Sequence, residues 1–119
     1  MNNQDLYHKI YMLTKLLYKT IHNMSKEYKF TIGQDAIDLC WNCLDKYFEI
    51  NSLKDDEKLV EIKKMSAYFD KLKCRLRMAQ EVGVINEKHF VHLQENYIFS
   101  IGDQIGGWLK WAEKVGVGD

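Results

Sequence analysis

The stretch from Phe69 to Trp111 constrains the fold more than any other part of this chain. It carries two apolar stripes at helical spacing, one on either side of Gly83-Val84-Ile85-Asn86. Phe69, Leu72, Leu76, Ala79 and Val82 recur on the first arm, and Phe90, Leu93, Tyr97, Ile101, Ile105, Trp108, Leu109 and Ala112 on the second. Gly83 stands where a helix C-terminus takes a left-handed residue, and Asn86 stands where the next helix takes an N-cap. The stretch therefore reads as a helical hairpin. Gly102, Gly106 and Gly107 interrupt the second apolar pattern, and each interior glycine costs a helix roughly 1 kcal/mol relative to alanine. Their spacing suggests a close backbone approach on that face, within one chain or between copies, with Trp108 filling the adjoining space.

The rest of the chain follows the same period. It contains no proline, which favours long uninterrupted helices over a turn-rich β fold. Leu6, Ile10, Leu13, Leu17, Ile21 and Met24 predict a first amphipathic helix over about residues 4–25. Tyr7, Tyr11, Tyr18 and His22 run beside that stripe, either as a border of the core or as an interface with another subunit. Thr31-Ile32-Gly33-Gln34 has the form of a capping box and predicts a second helix over 32–50. Ala36, Cys40, Cys43, Leu44 and Tyr47 would face inward there, while Trp41 and Phe48 share an adjoining face that hints at a partner. A third helix over 56–82 uses Leu59, Ile62, Ser66, Phe69, Leu72, Leu76 and Ala79, and a fourth spans 87–115 before a short fraying tail. Four amphipathic helices with short loops in a single domain, residues 1–119, make an all-α, up-down-up-down four-helix bundle.

Charge and cysteine usage narrow the function classes. Seventeen basic and 17 acidic residues cancel, so there is no long-range attraction for nucleic acid, although a local basic face is allowed. No apolar run approaches a membrane span, and the N-terminus lacks the pattern of a secretory signal. The odd cysteine count, Cys40, Cys43 and Cys74, fits a reduced, cytoplasmic protein.

Chemistry-bearing clusters are few. Cys40-x-x-Cys43 spells half a zinc site, but no second pair exists and the two face the core at i, i+3. His89 and His92 share the same spacing, without the Glu-x-x-His pattern repeated on two helices that di-metal bundles use. They read as solvated helix face. No nucleophile stands with a base, so no catalytic residue, metal or cofactor is expected, and the chain is not expected to be an enzyme. Lys71, Lys73, Arg75 and Arg77 look like a cluster, but helical geometry splits them, leaving Lys64, Lys71 and Arg75 as the positive stripe. That stripe reads as a solvated flank or as a contact for RNA phosphates or an acidic protein surface. With Arg77 and Lys110 it supplies the candidates for partner or nucleic-acid binding. Gly102, Gly106, Gly107, Trp108, Trp41 and Phe48 are the candidates for packing or oligomerisation.

Three segments carry a family resemblance. Phe30-Thr31-Ile32-Gly33-Gln34 resembles the aromatic-Thr-Leu-Gly entry of helix two in the accessory variability determinant (Avd) family of diversity-generating retroelements. Leu76-Arg77-Met78-Ala79 with Gly83 resembles that family's Leu-Arg-Leu-Ala…Gly segment. The run from Ile101 to Lys110, Ile-Gly-Asp-Gln-Ile-Gly-Gly-Trp-Leu-Lys, resembles its closing signature and is the most specific of the three. The resemblance spans roughly residues 5 to 114. It implies a small non-enzymatic subunit that forms a barrel-shaped homopentamer and binds the element's reverse transcriptase and its RNA, supporting mutagenic reverse transcription. The related proteins of ribosomal RNA intervening sequences share the bundle but begin helix two differently, and stand as the alternative, as does a stand-alone assembly module. Where the family is rich in basic residues around helix two, this chain has Gln34, Asp35 and Asp38, which favours a protein–protein role over direct RNA contact.

Overall fold

Four helices run along a rod of 52 × 23 × 20 Å. The computed structural model describes residues 3–118. Helix α1 is Gln4–His22. Helix α2 covers 26–51 and α3 is Lys58–Glu81, entered through a short tight turn at Asp55–Glu57. Helix α4 covers 87–118. The chain is an all-α four-helix bundle, with α2 and α3 sharing the longest seam and α1 and α4 the shortest.

The hairpin between α3 and α4 forms as its residues dictate. Gly83 takes φ +84°, the single left-handed position among the described residues. The amides of Val84 and Ile85 then both reach the Ala79 carbonyl, at 2.8 and 3.1 Å, closing the helix end. Asn86 accepts the His89 amide at 2.8 Å and caps α4. Ile85, between these two caps, is buried and seals that end of the core.

Two wide turns, each holding one residue more than an α-turn, set the phase of the bundle. They lie at Lys29–Gly33 in α2 and Gln94–Ile98 in α4. An extra residue rotates everything after it by about 100° around the helix. In α4 the buried series is therefore Leu93, Ile98, Ile101, Ile105 and Trp108, and Tyr97 drops to a half-buried position. In α2 the wide turn overturns the expected capping box. The helix starts at Lys26 behind extended Ser25, and Thr31 lies inside it, donating its hydroxyl to the Glu27 carbonyl at 2.9 Å. Gly33 falls on the buried side at this turn. A Cβ there would come within 3.2 Å of the Ile21 side chain and of the Tyr28 carbonyl.

The core takes Leu6, Ile10, Leu13 and Leu17 from α1, with inward residues of the other three helices interleaved among them. Thr14 joins them by returning its hydroxyl to the Ile10 carbonyl at 2.7 Å, which satisfies that donor. Met65 is fully buried where the spacing points to Ser66, and Val82, at the edge of the α3 stripe, is 50% exposed. Helix α4 continues to Gly118 instead of ending at Val115, and of the expected tail only Asp119 lies outside the described residues.

Candidate partner-binding surfaces

Two of the three thiols, Cys40 and Cys43, are taken up by the core, and Cys74 is exposed on α3. Burial pushes the Cys40 thiol up to about 12, against an opposing hydrogen bond with Thr14. Cys43 is raised by burial and then by neighbouring Cys40. Neither is a thiolate near neutral pH. Among the described residues no group of three His, Cys, Asp or Glu side chains converges as a metal site. His89 and His92 stack with their ring centroids 6.4 Å apart. His89 is not solvated face. It is half-buried and its Nε2 lies 2.9 Å from the Thr20 hydroxyl of α1. That hydroxyl donates to the Leu16 carbonyl at 3.0 Å, so Nε2 carries the proton and donates to Thr20.

The basic candidates divide between two faces. Lys64, Lys71 and Arg75 run along the flank of α3 nearest α2. Lys64 pairs with Glu61 at 3.0 Å, and Lys71 lies over the Tyr68 ring. Arg75 is half-buried, with one guanidinium nitrogen 3.5 Å from the Lys71 carbonyl. Glu61 also accepts Lys46 of α2 at 2.9 Å, and these hydrogen bonds, that to Lys46 first, hold its carboxyl below the usual range. Arg77 belongs to the opposite flank. It pairs with Glu81 at 3.0 Å and lines a groove of about 620 Å³ between α3 and α4 with Lys73, Phe90 and Phe99. Exposed Lys110 shares the outer side of α4 with Phe99 and Gly106 by helical spacing. The tie of Arg77 to Lys73, Phe90 and Phe99 is invisible along the chain, because it joins two helices.

The packing candidates also separate. Trp108 is fully buried, its ring 6.1 Å from that of Tyr47, and its indole N–H has no acceptor among the described residues. A Cβ on Gly102 would sit 3.6 Å from Phe69, an ordinary contact, and one on Gly106 would meet nothing within 4 Å. Inside the protomer these two glycines therefore mark no close helix approach. Gly107 is half-buried. Trp41 and Phe48 are 43% and 58% exposed, and both lie against α1. Trp41 Nε1 donates to the Tyr18 hydroxyl at 2.9 Å, and the Phe48 ring stands 5.5 Å from that of Tyr7. The tyrosines of α1 and the aromatics of α2 make one aromatic surface over the α1–α2 seam.

Comparison with protein families matches residues 6–112 to the family described as bAvd-like, a span that reaches into all four helices. The chain belongs to the bAvd-like family. No curated protein and no solved structure matches it at a significant level. Membership makes this an Avd-type accessory protein. In this bAvd-like chain the closing segment splits cleanly by face: Ile101, Ile105 and Trp108 are buried, while Asp103 and Lys110 are exposed and Gly102 and Gly106 half-buried. No helix among the described residues is long and apolar enough to cross a membrane.

Proposed function

We infer that this chain is a non-catalytic accessory subunit of a diversity-generating retroelement. It assembles as a homopentamer and binds the element's reverse transcriptase, with template RNA as at most a lesser contact, supporting mutagenic reverse transcription. The observation that carries this reading is the family match across residues 6–112.

The face proposed for the polymerase and its RNA is the α3–α4 groove. Exposed Phe99 and half-buried Phe90 offer stacking or apolar contact, and Lys73, Arg77 and Lys110 offer positive charge beside them. Gly102 and Gly106 leave gaps among Phe99, Asp103 and Lys110 on the outer side of α4, so a partner's backbone can come close there. Asp70, Glu81 and Asp103 lie on the same surface and temper its charge, which favours the polymerase over RNA as the main contact.

The test is co-purification of the tagged chain with the reverse transcriptase of its own element. Retention of the polymerase by the wild type, and its loss from Arg77→Glu/Lys110→Glu, is the expected result. A wild-type assembly that never retains the polymerase would move the chain to a stand-alone assembly module or a ribosomal intervening-sequence relative.

A further inference from the structure

The outer ridge of α2 and the near flank of α3 carry opposite charges in matching register. On α2, exposed Asp38 and Asp45 stand seven residues apart with Trp41 and Phe48 beside them. Among the described residues Asp38 accepts the Gln34 amide and pairs with no cation, and Asp45 has no ion-pair partner. On α3, Lys64 and Lys71 stand the same seven residues apart, with half-buried Tyr68 between them. Both pairs therefore span about 10 Å along a helix.

From this the geometry points to a second copy of the chain as the occupant of these surfaces, the acidic–aromatic ridge of α2 docking on the basic flank of α3 of its neighbour. This rests on the reading that the chain works as an assembled subunit, and it names the faces that meet. The two patches differ, so the contact is heterologous, head to tail. They lie on adjoining sides of the bundle, because Trp41 and Phe48 lean over α1 whereas Lys64 follows the α2–α3 seam. Successive copies therefore turn instead of running on in a line, as a contact that closes a ring requires.

The heights agree as well. Lys46 bonds Glu61 across the antiparallel α2–α3 pair at 2.9 Å, which sets Asp45 level with about residue 62 of α3 and Asp38 with about residue 69. A ring axis parallel to the helices preserves height and direction from copy to copy. Asp45 then faces a neighbour's Lys64 and Asp38 its Lys71, each offset by about 3 Å, within side-chain reach. Trp41 and Phe48 supply the apolar burial in such a contact, and the four charges supply register.

The experiment is native mass spectrometry of the full chain, 14.1 kDa as a monomer, with circular dichroism as the check on folding. The wild type is expected at a multiple of that mass. Asp38→Lys/Asp45→Lys and Lys64→Asp/Lys71→Asp are each expected as folded monomers, and the fourfold swap carrying all these changes is expected to recover the multimer. A monomeric wild type, a charge-reversed pair that keeps the wild-type mass, or a fourfold swap that stays monomeric would each overturn the proposal. Polymerase capture is read separately. Intact wild-type rings without polymerase count against the accessory function and leave this interface standing.

Discussion

The Trp41 indole donates to the Tyr18 hydroxyl at 2.9 Å and ties α2 to α1 outside the core. Both side chains remain close to half exposed, so the bond fixes the shape of an aromatic surface more than it stabilises the bundle. It holds the two rings in one place across the seam, which suits a surface that another molecule must recognise.

Trp41→Phe should therefore cost little. The ring remains and one exposed hydrogen bond is lost, a change of about 0.5–1 kcal/mol. Urea denaturation of the wild type and the variant measures it. A loss of several kcal/mol would mean that the bond supports the core.

Trp108 should behave in the opposite way. Trp108→Ala removes a fully buried ring and is expected to cost about 3–5 kcal/mol. Trp108→Phe should cost far less, because the lost indole N–H has no acceptor among the described residues. Equal losses for the two would show that the indole nitrogen is satisfied in solution.

Two glycines give a second contrast. At Gly33 a Cβ meets the Tyr28 carbonyl at 3.2 Å, and backbone cannot swing aside, so Gly33→Val is expected to cost about 1–3 kcal/mol. At Gly106 a Cβ meets nothing within 4 Å, so Gly106→Ala should stabilise the protomer by up to about 1 kcal/mol of helix propensity. Thermal melts of both variants decide it. If Gly106→Ala kept the fold but lost polymerase capture, the glycine would be assigned to that contact.

His89 gives the bundle a pH dependence. Burial, and secondarily His92, holds its pKa below the ordinary 6.5. The unfolded chain therefore binds a proton that the folded chain resists as pH falls below that value, and stability falls with it. Denaturation midpoints should drop between neutral and mildly acid pH in the wild type, and drop less in His89→Gln. Parallel curves for the two proteins would remove His89 from the account.

Much of the fold is legible along the chain. The hairpin at Gly83 and Asn86 can be read because one residue supplies a conformation and the other a side-chain acceptor, both local properties. The stripes of α1 and the burial of Cys40 and Cys43 follow from spacing alone. The start of α2 does not. Thr31 and Gln34 have the composition of a cap, but the chain is already helical from Lys26, and the wide turn at Lys29–Gly33 places Gly33 against Ile21, a contact with another helix. The surfaces are less legible still, since the basic residues of one helix face two different neighbours.

By itself, the sequence determined four amphipathic helices, the Gly83 and Asn86 ends of the α3–α4 hairpin and the family the chain belongs to, because helical spacing and these two local signals act over a few residues. The tertiary structure alone decided which helix each face meets. It turned Ile98 inward, joined Tyr18 to Trp41 and His89 to Thr20, and set Lys46 against Glu61. Those contacts join residues far apart in the chain, and the extra residue in each wide turn rotates every later side chain, so only packing against the neighbouring helices fixes the outcome.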